Sequence, residues 1–154
     1  MDVQAPVEVI YRAWTTRAGL ESWFLRKSVF INAGGTIRGP EEETQPGDQY
    51  TWMWHGWPDE TVEKGEVLAC NGKDEIHFTL GKAGNFRVRI YTESGETIVE
   101  ILQEDIPDDE TGKHTFYVGC KTGWTFYLTN LKSVLAGGHD LRNKKPGIGQ
   151  LLNL

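Results

Sequence analysis

Two thiols, four imidazoles and an unusual number of indole and phenol rings are the side chains of this chain with chemistry to offer. Cys70 and Cys120 stand far apart, and neither they nor His55, His77, His114 and His139 fall at the short spacings that zinc sites use. No serine sits in a Gly-x-Ser-x-Gly elbow. Gly147-Ile148-Gly149 is too short for a dinucleotide fingerprint, and no strand precedes it. No imidazole has a readable partner that would make it a general base. The residues therefore predict no metal, no cofactor and no catalytic group, and the chain reads as non-enzymatic.

The rings offer a different chemistry. Six Trp, six Phe and five Tyr suit either a dense core or the lining of an apolar pocket. Tyr50, Trp52 and Trp54 share one face of a predicted strand, and Phe78 and Val88 lie on the apolar parity of two others. Tyr117, Cys120, Trp124 and Tyr127 fall on a helical stripe near the C-terminus. These nine are the candidate ligand-cavity residues, although each taken singly also fits a closed core. Gly119 and Gly123 interrupt that helix at about 1 kcal/mol each relative to alanine, which fits either room for a ligand or close packing on a sheet. His77, Arg87 and Arg89 oppose the apolar parity of their strands, so they are expected at the surface, the arginines paired across strands with acids such as Glu100.

Something must position these rings, and the periodicity says what. Val7, Ile10, Tyr11 and Trp14 make a short amphipathic helix opened by Pro6, and Thr16 can cap a second carrying Leu20, Trp23 and Phe24. From Arg26 to Asp105 the period is two. Strands are predicted at 28–31, 50–54, 62–70, 76–80, 86–90 and 97–103, with turns at Gly56-Trp57-Pro58-Asp59, Asn71-Gly72 and Ser94-Gly95. Residues 97–103 carry apolar side chains on both parities, so their inward face stays open. The Arg38–Gly47 loop, with two prolines and three glutamates, is expected to be mobile and solvated. Connections this short allow only antiparallel pairing. Trp124, Tyr127, Leu128, Leu131, Val134 and Leu135 then give a helix over about 114–137, stopped by Gly137-Gly138. The predicted class is α+β: a curved antiparallel sheet of six strands plus an N-terminal stub, wrapped round that helix. Residues 1–154 make one domain, with a tail at 138–154.

Composition narrows the partners. A net charge of −6 and acidic runs at Glu41-Glu42-Glu43 and 104–110 oppose the basic face that nucleic acid requires. No apolar run approaches the about 18 residues of a membrane span. MDVQAPVE has neither a basic nor an apolar export region, so a cytoplasmic protein with free thiols is expected.

Three stretches together resemble a known family: APVEVIYRAWTTRAGLESWF, YTWMWHG with the later EKGEVL, and GWTFYLTNLKSVLAGG. They are similar to the activator of heat-shock-protein-90 ATPase homologues, a branch of the START-like (SRPBCC) helix-grip superfamily, over nearly the whole chain. The resemblance implies about seven antiparallel strands gripping the C-terminal helix, with a cavity between them. Superfamily members hold lipids, sterols, polyketides or other apolar molecules there. It carries over no catalytic residues. An apolar or amphipathic small molecule is thus the expected partner. The alternatives are a stress-related chaperone partner, as the family name implies, and an enzyme of the cyclase or aromatase kind.

Overall fold

The structure, a computed structural model, describes residues 1–110 and 112–145. Helix α1 (Val7–Thr15) begins after Pro6 and buries Ile10, Tyr11 and Trp14. Helix α2 (Arg17–Trp23) follows at once, because the Thr16 hydroxyl ends α1 on the Arg12 carbonyl and caps α2 by accepting from Gly19 N–H at 2.9 Å. Trp14 and Trp23 meet edge to face, 4.6 Å between ring centroids, and the Trp23 indole donates to the Ala13 carbonyl. The two helices therefore form one aromatic plug.

Six strands follow: β1 (Lys27–Ile31), β2 (Gln49–Met53), β3 (Glu63–Cys70), β4 (Glu75–Thr79), β5 (Asn85–Glu93) and β6 (Glu96–Glu104). They pair antiparallel in sequence order. The Ser94-Gly95 turn has positive φ at both residues, which pins the long β5–β6 register from Glu93↔Glu96 to Asn85↔Glu104. The expected stub is a seventh strand in rudiment. Asp2 bridges Ile98, Val3 N–H donates to Thr97 O, and Val99 N–H donates to Met1 O, the latter two both at 2.8 Å.

After β6 comes a wide, π-helical turn (Gly112–Tyr117), which runs into α3 (Val118–Leu135). At the far end Gly137 takes positive φ and donates to Val134 O, while Gly138 donates to Ser133 O, a Schellman closure as glycine at that position predicts. A polar clasp then fastens the C-terminal half of α3 to α2. Buried Asn130 donates to Trp23 O at 2.6 Å and accepts from Leu141 N–H at 2.7 Å. The Arg142 guanidinium, also buried, donates to the carbonyls of Leu25, Glu21 and Ser22 and is paired with Asp140. Gly147–Gly149 lies outside the described residues.

Two surface expectations need correction. The 38–47 loop is anchored, not free. Asp48, 2% exposed, accepts from the Arg38 guanidinium, the Thr44 hydroxyl and Gln45 N–H. Glu41 and Glu43 pair with Arg12 on α1, and Thr44 N–H donates to Thr15 O. The acidic run thus answers Arg12, far from it in sequence, and Arg38, four residues before Glu42. His77 is half-buried, its Nε2 3.8 Å from Glu104, because the Arg87 and Glu104 side chains meet on the same outer face. Arg89 does face solvent and lies 3.5 Å from Glu100.

Candidate functional site

An apolar cleft of about 280 Å³ opens beside the first half of α3. The helix contributes Gly119, Cys120, Gly123, Trp124 and Tyr127 to its wall. Phe24 from the end of α2, Trp54 just past β2, Trp57 from the following turn and Leu80 past β4 face them. Thr115 stands at the π-helical turn. The two glycines replace side chains that would otherwise fill the space, and a Cβ on Gly119 would meet no heavy atom of another part of the chain within 4 Å.

The rings are held from behind. Phe24 meets Tyr127 edge to face at 4.7 Å and Trp124 at 5.5 Å, and Trp124 lies 4.8 Å from Phe86 on β5. The Trp124 indole N–H donates to Gln103 Oε1 at 2.8 Å. Gln103 spends its own amide protons on Ala83 O at 2.8 Å and on Cys120 Sγ at 3.2 Å. Burial pushes the Cys120 thiol and the Tyr127 phenol above their ordinary pKa values, for Cys120 against a weaker opposite pull from the Gln103 hydrogen bond. Both stay neutral at pH 7, so the cleft offers polar atoms but no charge. Among the described residues no group of His, Cys, Asp and Glu could hold a metal ion, and no helix is long and apolar enough to cross a membrane.

The family model described as "Activator of Hsp90 ATPase homolog 1-like protein" matches residues 4–136 of the 154. The chain belongs to this family. Its fold recurs in solved structures, among them the solution structure of the Aha1 dimer from Colwellia psychrerythraea. That protein is 18% identical, with a TM-score of 0.65 over 88% of this chain and 91% of that one. ChR145 from Cytophaga hutchinsonii is 15% identical, TM-score 0.60, covering 89% and 90%. CV1439 from Chromobacterium violaceum is 19% identical, TM-score 0.56, covering 88% and 92%. At these identities the likeness is one of fold. No curated protein matches the chain.

Within this family fold the nine sequence-predicted cavity residues divide. Trp54, Cys120, Trp124 and Tyr127 come together on the cleft wall. Tyr50, Trp52, Phe78 and Val88 lie in the closed core instead. The Tyr50 hydroxyl donates to Thr79 O at 2.6 Å across β3, over Gly65, where a Cβ would strike that hydroxyl. Trp52 stacks on Tyr50 at 3.8 Å and meets Phe78 at 5.2 Å, so these rings pack against one another. Tyr117 is 58% exposed. It belongs to the π-helical turn, which takes more residues per turn than an α-helix, so a stripe drawn at helical spacing loses phase there. Phe24 and Leu80 were legible as apolar faces but not as cleft walls, since that needs the tertiary arrangement. Trp57 had a usable signal: a large ring at a tight turn cannot be covered by its own hairpin.

Proposed function

We propose that this protein is a non-enzymatic binding domain for an apolar or amphipathic small molecule, held in the cleft between α3 and the Trp54–Trp57 side of the sheet. The observation that carries the reading is a preformed apolar cleft at the place where α3 presents Gly119 and Gly123 instead of side chains. Its volume is near the lower end of the range for ligand sites, about 300 Å³. An apolar cavity of roughly 150 Å³ accepts benzene, so this one suits roughly a dozen non-hydrogen atoms. The Cys120 thiol and Thr115 hydroxyl can orient a polar end. With thiol and phenol both kept protonated, they favour binding over general-base chemistry.

The test is thermal unfolding against a panel of small apolar compounds, with native mass spectrometry of protein purified from its host. A saturable rise in melting temperature supports the reading, and a flat response across the panel with no bound mass removes it. The family description favours a second reading, a partner of an Hsp90-type chaperone. The adjacent exposed Tyr117 and Val118 at the start of α3 supply an apolar contact for it. Stimulation of the host chaperone's ATPase that is lost in a Tyr117→Ser, Val118→Ser variant would support that role, and no stimulation by the unaltered protein would exclude it.

A further inference from the structure

A second cleft, of about 480 Å³, runs along the other side of α3. Its walls are Ile98, Val99 and Ile101 from β6 facing Leu128 and Thr125, with Lys121 and Glu100 also along it. Trp124 lines both clefts. Helix geometry explains why. At 3.6 residues per turn, Cys120, Gly123 and Tyr127 fall on one flank of Trp124, and Lys121, Thr125 and Leu128 fall on the other. The indole reaches from the helix to the sheet, against Phe86, and Gln103 holds its N–H. The Gln103 amide is itself fixed through Ala83 O and Cys120 Sγ, so the ring is anchored at both ends.

We propose that Trp124, positioned by Gln103, is a partition that divides one continuous groove along α3 and thereby sets the ligand class: a compact planar aromatic molecule, not an extended acyl chain. This rests on the reading of the first cleft as the binding site. Two observations favour it. The first cleft is walled by five rings, Phe24, Trp54, Trp57, Trp124 and Tyr127, whose faces and edges suit another ring. Beyond the partition the apolar wall is mainly aliphatic, Ile98, Val99, Ile101 and Leu128 with Tyr91 as its one further ring, and that would suit a chain.

The test measures dissociation constants by calorimetry for indole, 1-naphthol and straight-chain 1-alkanols of increasing length. Each methylene buried strengthens binding about fourfold. In the unaltered protein that gain stops once the first cleft is full, at roughly a dozen carbons, and 1-naphthol binds more tightly than an alkanol of equal atom count. Trp124→Ala lets the gain continue for several more carbons, and adding Leu128→Trp, which fills the second cleft, cancels the extension. Gln103→Leu keeps the indole but removes its anchor, together with the hydrogen bonds to Ala83 O and Cys120 Sγ, and moves the plateau in the same direction. It serves alone should Trp124→Ala not fold. If the plateau stays put in folded variants while 1-naphthol still binds, the partition is refuted and the binding reading stands. If no compound binds any form, both fall.

Discussion

Substitution at Gly119 separates the cleft from the stability of the helix that carries it. Gly119 lies on the cleft wall, is itself exposed, and has open space where a Cβ would go. A methyl group there meets nothing, and Gly→Ala within a helix recovers roughly 0.8–1.0 kcal/mol. In a domain of this length that raises the melting temperature by about 2–4 °C. Leucine has nearly the same helix propensity, so Gly119→Leu keeps most of the gain. Scaled from the cavity that takes benzene, its four side-chain carbons occupy about 100 Å³, a large part of a cleft of about 280 Å³. A bound apolar compound should then weaken at least about tenfold, or about 1.4 kcal/mol. The assay is thermal unfolding of the three proteins with and without the best compound from the panel. Gly119→Ala raises the midpoint and keeps the ligand-induced shift, whereas Gly119→Leu raises the midpoint and loses it. A leucine variant that is stable and still binds normally would show that the ligand sits elsewhere.

Three further outcomes follow from the same contacts. Asp48→Ala leaves the guanidinium of Arg38, whose side chain is 13% exposed, with Glu42 alone and unpairs the Thr44 hydroxyl and Gln45 N–H, and should cost about 3 kcal/mol of unfolding free energy in urea; a loss under about 1 kcal/mol would mean that the 38–47 loop is not pinned by Asp48. Burial lowers the pKa of His55 below its ordinary 6.5, helped by Arg142 and Lys144 and opposed by Asp140. The unfolded chain therefore binds the proton first, and stability falls as the pH drops below about 6.5, by at most about 1.4 kcal/mol per pH unit. His55→Gln should flatten the fall in urea midpoint between pH 7 and 5, and identical slopes would refute the assignment. Amide exchange should be faster over residues 118–123 than over 127–134, because the clasp through Asn130 and the Lys132–Asp2 contact at 2.7 Å hold only the second stretch. Uniform protection along α3 would contradict this.

The fold was legible because its signals are local. Pro6, Thr16, Ser94-Gly95 and Gly137-Gly138 each dictate a cap or a turn through their own backbone chemistry, and the period-two strands between them can pair in one order. The site was half legible for the opposite reason. Parity shows which side of β2 is buried, but not whether Tyr50 and Trp54 on that side meet core or cavity. Four positions separate Tyr50 in the closed core from Trp54 on the open wall. On β6 both parities look apolar because Ile98 and Leu102 lie on the parity opposite buried Val99, while Gln103, a polar residue, takes an inward position to hold Trp124. Arg142 and Asn130 were hidden similarly. A buried guanidinium that donates to three carbonyls has no sequence pattern, since those carbonyls lie more than a hundred residues away.

Why a cleft persists at all in so aromatic a protein follows from which element fills the sheet. The concave face of β2, β4 and β5 is covered first by the α1–α2 plug: Phe24 meets Trp52 at 5.8 Å, and Trp14 meets Phe86 at 6.3 Å. Helix α3 arrives on top of that plug, with Tyr127 and Trp124 resting on Phe24, and is bolted down at its C-terminal half. Its N-terminal half reaches the sheet through Trp124, against Phe86 and Gln103, and through the Cys120 thiol on Gln103, and two of its residues nearby are glycines. Space on either side of that ring is the geometric consequence. By helix propensity alone, a side chain at Gly119 would stabilise the helix, so glycine there costs stability. That cost is the physical reason to read the cleft as a site rather than a packing fault.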